Sequence, residues 1–534
     1  MDAHEIVDEV LADLGRPEVW ISTFGAAELH ARAAEIDPAA PLAGVPFAVK
    51  DNIDVAGLPT TAACPDFAYR PERNAPVVQR LLDAGAIVVG KTNLDQFATG
   101  LTGTRSPYGA PESVFGGGLI AGGSSSGSAV AVAAGTVAFA LGTDTAGSGR
   151  VPAAFNGIVG IKPTRGLLST LGVVPACRSL DCVSIFARDL ALADRVMRAA
   201  RGGVPADPWS REGRRPVVAE PRVGVPESLD FFGDTGQEKA FARFAGDTTV
   251  DIGPLLAAGD LLYRGPWVAE RLADLGDFLA THPESVLPVT RQVLETGLRW
   301  TAADAFRAQH RLQELRAAAD RIWERVDVLV LPTIGTTYTH TEIAEDPVGR
   351  NLTLGRYTQF ANLLDFAAVT VPNGFTADGR PASLTLFGPA FSDDTLAALA
   401  RSLPADDAMT LAVVGLHLSG EPRNGELRER GATLLGAART APRYRLYHLP
   451  SGAPGLVRDA GHGASIEIEL WQLPAARVGS FLAGIPAPLS LGRVALEDGT
   501  EVTGFLCEAY AATGARDITA SGGWRNYRLR GLDS

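Results

Sequence analysis

Residues 119–135 read LIAGGSSSGSAVAVAAG, and the fold turns on whether the run GGSSSGS at 122–128 is a tether or a built loop. Gly and Ser are the residues of flexible linkers. Here, however, apolar stretches flank the run, and a tightly packed helix of small residues is predicted over Ala129–Leu141. A hinge does not abut a core element so directly, so the run reads as a built loop. Outward from it, GAIVVG (85–90), GIVGIK (157–162) and VDVLVLPT (326–333) are apolar and rich in β-branched residues, and they read as buried strands. DAFRAQHRLQELRAAADRIWERV (304–326) has helical periodicity, and RGGVPADPWSREGRRP (201–216) reads as a surface loop. Strands alternating with helices predict an α/β architecture over residues 1–405: a mixed, mostly covered β-sheet between helical layers. Near SLPADDAMT (402–410) the pattern changes. LAVVGLHLSG, YRLYHLP, ASIEIELWQLP and VTGFLCEAYAA are shorter alternating strands, so residues 411–534 are expected to form a separate, small, β-rich α+β domain.

Composition narrows the function classes. The 534 residues are 46% hydrophobic and 20% charged, enough for one large domain and a smaller one. A net charge of −13, with no basic run, is the wrong sign for a nucleic-acid surface. The apolar run AVAVAAGTVAFALG (129–142) falls short of the ~20 residues that span a bilayer, so no membrane contact is expected. Four scattered cysteines and no CxxC pair predict reduced thiols and no structural zinc; no cofactor is expected. The start, MDAHEIVDEVLADLG, is acidic and amphipathic and lacks the basic and apolar regions of a signal peptide, so a cytoplasmic location is expected.

Three motifs compete for the chemistry. GAIVVGKT (85–92) matches the phosphate-loop formula, but its inner residues, Ala86, Ile87, Val88 and Val89, belong to a strand interior and cannot wrap a phosphate. Lys91 then reads as an ordinary strand-end lysine. GSSSG (123–127) matches the nucleophile elbow, with Ser125 as nucleophile, and that reading needs an acid and a histidine further along the chain. No histidine lies between His30 and His282, so a distant one would have to fold against it. The third option needs none. AVKDNI (48–53) sets Lys50 at the end of a strand, GGSSSGSA holds Ser124 in a bend, and GTDTAGSGRVPAAF (142–155) sets Ser148 between glycines after another strand. The small residues around Ser148 leave the N–H groups of Thr145, Ala146, Gly147 and Ser148 free to converge as an oxyanion hole.

These three segments, in this order and with the two serines 24 positions apart (148 − 124), resemble the amidase-signature family over roughly residues 40–400. Two positions depart from that family's commonest form: Ser126 and Ala146 stand where it has glycines. The resemblance implies Ser148 as nucleophile, Ser124 as a proton bridge preceded by a cis peptide bond, and Lys50 as the ultimate base. Lys50 must then be neutral near pH 7. A free lysine titrates near ~10.4, and lowering it by about 3 units costs roughly 4 kcal/mol, which burial without a carboxylate partner supplies. Asp51 is accordingly expected to point away, and Asp144 and Arg150 to brace the loop.

NLDQFATGLTGTRSPYGAP (93–111) and the appendage beginning LAVVGLHLSGEPRNGEL resemble the allophanate hydrolase branch. That resemblance implies a small anionic amide as substrate, ammonia and carbon dioxide as products in urea or s-triazine nitrogen catabolism, a homodimer, and a functional pairing with a urea carboxylase. It also implies a Tyr and an Arg eight positions later for the substrate carboxylate, here Tyr263 and Arg271 (271 − 263 = 8), with Gly100 at the urea end. The plainer alternative is a surface arginine and a half-buried tyrosine. His417 is the candidate residue of the C-terminal domain, where a structural histidine is an equal reading, and Glu467 and Glu469 fit a solvated strand face. The competing function is a broader small-amide amidase whose C-terminal domain serves dimerisation or regulation.

Overall fold

The structure, a computed structural model, describes residues 2–12, 14–403, 408–430, 432–482 and 484–530. The chain divides into two compact units, Met1–Pro404 and Ala405–Ser534. The change of pattern read at SLPADDAMT falls partly on residues 404–407, outside the described residues.

One 11-stranded sheet organises the first unit. Its first strands are β1 (Trp20–Thr23), β2 (Pro46–Lys50), β3 (Ile87–Thr92), β4 (Phe139–Asp144), β5 (Val159–Lys162) and β6 (Cys182–Ala187). The later ones are β7 (Val223–Pro226), β8 (Thr248–Val250), β9 (Val328–Pro332), β10 (Ala367–Phe375) and β11 (Pro381–Gly388). They lie in the order β1-β3-β2-β4-β6-β5-β10-β11-β9-β7-β8. The sheet is mixed: β2 runs parallel to both β3 and β4, whereas β6 runs antiparallel to β4 and β5.

Side-chain alternation fills a layer on each face of this sheet. Phe47 and Val49 join Val183, Ile185, Val328 and Val330 in one apolar cluster. Ala48, between them, faces the other way, toward Val130, Val132, Ala140 and Phe186. Strands covered on both faces read as continuous apolar runs, which is why they were legible in the sequence. Two helical expectations are corrected. The helix after the serine loop spans only Ser126–Ala133, because the chain turns at Gly135 and enters β4, whose residues are paired with β2 and β6. The long periodic segment forms two helices, Ala302–Asp320 and Ile322–Arg325. The stretch 201–216 carries neither helix nor strand, as expected of a loop.

In the second unit, β12 (Ala408–Val413), β13 (Thr433–Arg439), β16 (Glu467–Pro474), β17 (Leu489–Ala495) and β18 (Glu501–Cys507) form a sheet ordered β13-β16-β12-β18-β17. A small second sheet, β15-β14-β19, comprises β14 (Tyr444–His448), β15 (Pro454–Arg458) and β19 (Arg516–Asp517). Leu411, Val413, Ile468, Trp471 and Phe505 centre its core. The solvated-face reading of Glu467 and Glu469 needs correction. Glu467 is half-buried, but Glu469 is buried and accepts from the backbone N–H and hydroxyl of Ser419, Trp471 Nε1 and Arg525 Nη2. Among the described residues no helix is long and apolar enough to cross a membrane.

Candidate active site

The carboxyl ends of parallel strands are where open α/β sheets build their sites, and β2 and β4 end side by side here. Lys50 is the last residue of β2 and is fully buried. Its Nζ donates to Ser124 Oγ at 2.8 Å and to Thr143 Oγ1, on β4, at 2.7 Å. Burial pushes the amine down from its ordinary 10.5 to about 7, against the pull of Asp95, Asp181 and Asp144. Asp51 does turn away: its carboxylate pairs with Lys91 Nζ at 3.1 Å and accepts from the N–H of Thr61. Lys91 is therefore not an ordinary strand-end lysine. It is fully buried within β3, since β3 continues two residues past Gly90, and it also donates to Thr60 Oγ1.

The loop carrying Ser124 is packed on all sides. The Gly123–Ser124 bond is cis. Ser124 O accepts from Asp95 N at 3.0 Å, and Gly123 N donates to Leu101 O at 2.8 Å. A Cβ at Gly123 would lie 2.1 Å from Asp95 Oδ2 and 2.5 Å from Gly103 N, so only glycine fits there. Ser125 faces elsewhere, its hydroxyl donating to Thr143 O at 3.2 Å. Among the described residues no histidine meets Ser125, which removes the elbow reading.

Ser148 sits in the loop after β4, with 2% of its surface exposed. Asp144, at the end of β4, braces that loop. Arg150 grips its carboxylate through Nε and Nη2, both at 2.9 Å, and the N–H groups of Gly147 and Gly149 donate to it at 3.0 Å. Burial alone would raise the Asp144 carboxyl, but Arg150 holds it below its ordinary value. Gly147 therefore departs from expectation: its N–H is not free for an oxyanion. The N–H groups of Thr145, Ala146 and Ser148 have no acceptor among the described residues. Gly147 has a φ of +132°, and a Cβ on it would meet Thr358 Oγ1 at 2.3 Å. Thr358 in turn donates to Ala146 O at 2.7 Å.

Tyr263 and Arg271 come together although they belong to different helices, Gly253–Arg264 and Trp267–Thr281. Pro266 occupies the N-cap position of the second of these, without a side-chain cap bond. Arg271 is 2% exposed and its guanidinium lies 5.7 Å from the centre of the Tyr263 ring, so the surface-arginine alternative is overturned. Arg271 Nη1 donates to Thr99 Oγ1 at 2.8 Å, and Thr99 is the chain neighbour of Gly100. Asp181 is electrostatically coupled to both groups: its charge favours the charged form of Lys50, and Arg271 favours the charged form of Asp181. It accepts from Thr145 Oγ1 and from the N–H groups of Ala176 and Cys177, and burial raises it to about 6. A cavity of about 430 Å³ opens beside Tyr263, lined also by Asp260, Arg356 and Gln359, but neither Ser124 nor Ser148 lines it.

Sequence reasoning missed Thr143, Asp181, Thr99, Thr358 and Asn362. Thr143 stands inside the quoted GTDTAGS segment and was readable there. Asn362 donates to Asp144 O and accepts from Arg150 Nη2 from more than 200 positions away, so no local signal announces it. In the second unit His417 is 6% exposed, stacked on Phe505 and paired through Nε2 with Glu426 at 3.2 Å.

Against known proteins, residues 7–241 and 275–397 match the family described as Amidase, and residues 409–529 match the Allophanate hydrolase C-terminal domain. The urea amidolyase of Lachancea kluyveri is 42% identical over 541 residues, covering 91% of this chain and 30% of that protein. The chain thus spans about a third of the length of that relative. The solved allophanate hydrolase of Kluyveromyces lactis is 39% identical, with a TM-score of 0.71 over 99% of this chain and 96% of that one. A glutamyl-tRNA(Gln) amidotransferase subunit from Natronomonas pharaonis is 36% identical over 67% of this chain and 94% of that protein.

Proposed function

The chain belongs to the Amidase family and carries an Allophanate hydrolase C-terminal domain, and from that premise we propose that it hydrolyses allophanate through Lys50, Ser124 and Ser148. The observation that carries this reading is the fully buried lysine, with no carboxylate partner among the described residues, hydrogen-bonded to Ser124. With its pKa at about 7, Lys50 is half neutral at neutral pH and can accept a proton. Ser124 passes that proton from the hydroxyl of Ser148, whose oxygen attacks the amide carbonyl. The N–H groups of Thr145, Ala146 and Ser148 take the developing oxyanion, a contribution worth about 3–4 kcal/mol per donor in comparable sites. The proton returns through Ser124 to the departing nitrogen, the C–N bond breaks and ammonia leaves. Water, activated by the same pair of groups, then releases the acyl group from Ser148.

Allophanate presents a carboxylate, and a buried guanidinium with a phenol beside it suits a small planar anion. Arg271 and Tyr263 fill that part, with the backbone at Gly100 facing the urea end. Hydrolysis leaves a dicarboxylated amine, whose breakdown to ammonia and carbon dioxide we assign to the C-terminal domain. Allophanate is urea bearing one carboxylate, so a urea carboxylase is the natural supplier of this substrate.

The test is product counting. Purified protein receives allophanate or a panel of neutral amides, and ammonia is measured. Two ammonia per allophanate, with little turnover of neutral amides, is expected; preferential turnover of neutral amides refutes the substrate assignment. Arg271→Ala should raise KM for anionic substrates far more than for neutral ones, and equal effects remove its role.

A further inference from the structure

Arg271 does not hold its place alone. Its Nη1 donates to the hydroxyl of Thr99, a fully buried residue, while Nη2 has no acceptor among the described residues. The carbonyl of the same Thr99 accepts from a second buried arginine, Arg105, through Nη1 at 2.9 Å. Arg105 is 3% exposed and spans from Thr99 O to Pro347 O, which it reaches through Nη2 at 2.6 Å. Its own backbone N–H is fixed on Asp95 Oδ1 at 2.9 Å. Thr99 is thus clamped from both sides, by one guanidinium on its carbonyl and another on its hydroxyl. Burial is the main influence against the charge on Arg105, Asp95 favours that charge and Arg271 opposes it, and Arg105 Nε also lacks an acceptor among the described residues. Two buried guanidinium groups, each with a donor that has no acceptor among the described residues, make a local site that an anion relieves.

We propose that Arg105 and Thr99 form a positioning relay that fixes the Arg271 guanidinium for the carboxylate of the substrate, and so sets the preference for anionic over neutral amides. The inference rests on the assignment of Arg271 made above. Arg105 acts through Thr99, and neither residue is assigned a place in the chemical step. Both ends of Arg105 are occupied by main-chain carbonyls, and the flat fork of its guanidinium is what reaches two acceptors at once. Lysine carries all its donors on one nitrogen and lacks this fixed two-nitrogen fork.

The measurement is the ratio of kcat/KM for allophanate to kcat/KM for a neutral amide. Thr99→Val keeps the shape and removes the acceptor, so the ratio should fall roughly ten- to a hundredfold, the range for losing a hydrogen bond to a charged group. Thr99→Ser keeps the hydroxyl and should restore it. Arg105→Lys is read in the same assay and should lower the ratio as well, and it decides the question should Thr99→Val not fold. Isothermal titration with malonate, a small dianion, should show the same ordering of affinities. An unchanged ratio in folded Thr99→Val or Arg105→Lys protein, whatever the overall rate, overturns the relay. A wild-type enzyme with no anionic preference would instead defeat the substrate assignment itself, so the two failures are distinguishable.

Discussion

Replacing Lys50 with methionine should abolish activity and stabilise the fold. The lysine amine titrates at about 7 in the folded chain against 10.5 as its ordinary value. In that interval the unfolded chain holds a proton that the native one has released, so the stability of the wild type rises with pH across it. Near pH 7 the displaced titration costs about 4 kcal/mol, at about 1.4 kcal/mol per unit. Methionine fills nearly the same volume with no charge to desolvate. It loses the hydrogen bonds to Ser124 and Thr143, worth about 1 kcal/mol each. The net expectation is a gain of about 2 kcal/mol near pH 7. The gain should shrink by about 3 kcal/mol by about pH 9.5, because across that interval the unfolded wild-type chain holds nearly one proton more than the native chain, and wild-type stability climbs by about 1.4 kcal/mol per pH unit. Urea denaturation of both proteins at several pH values reads the difference directly, and ammonia release reads the activity, expected to fall by about 10²- to 10⁴-fold. A Lys50→Met protein less stable than the wild type near pH 7, or a stability difference that does not move with pH, refutes the neutral-amine account. Retained activity refutes the role of Lys50 as base.

The wild-type kcat/KM should climb with pH through about 7, with a slope of one proton, as Lys50 deprotonates; a profile falling across that region contradicts the mechanism. Asp144→Asn leaves the fully buried Arg150 without its counter-charge, which should cost about 3–5 kcal/mol in denaturation experiments, and adding Arg150→Met should recover part of the loss. Gly147→Ala would drive its methyl into Thr358, so kcat should drop by about 10²-fold through the displaced oxyanion loop. Thr358→Ala in the same chain should return only a fraction, because the backbone at 147 keeps a φ of +132° that alanine disfavours.

How far the sequence could be read follows from how locally each feature is encoded. Strands covered on both faces announce themselves as short apolar runs, so β3, β5 and β9 were found within two residues or so. Glycines at points of closest approach did the same for the two serine loops. Helix ends read less well: the step from helix to β4 needs a turn at Gly135 that apolar periodicity hides, because Val132, Phe139 and Leu141 are equally buried in either assignment. The partners of the site were legible only where they lie inside the motifs. Thr358, Asn362 and Pro347 reach the serine and arginine loops from a distant part of the chain, and their identities carry no local pattern. Gly147 failed for a subtler reason: free backbone donors in a tight loop can be counted from sequence, but not which of them a neighbouring carboxylate will claim.

That claim on Gly147 explains how an uncharged lysine survives among acids. Asp51 follows Lys50 in the chain, and Asp95, Asp144 and Asp181 act on its charge; each of these carboxylates is satisfied by something other than Lys50. Asp51 is held by Lys91 and Thr61, Asp95 by the N–H groups of Gly103 and Arg105, Asp144 by Arg150 with Gly147 and Gly149, and Asp181 by Thr145, Ala176 and Cys177. A carboxylate released to about 4 Å from Nζ would attract the charged amine by about 4 kcal/mol at an effective dielectric constant of about 20. That equals about 3 pKa units, enough to return Lys50 to its ordinary value and leave it protonated at neutral pH. The glycine-rich loops therefore do two jobs with one set of N–H groups: they shape the serine bends, and they hold the acids away from the base. On this reasoning a substitution that frees Asp95 or Asp144 from its backbone donors shifts the activity profile to higher pH even where the serines stay in place.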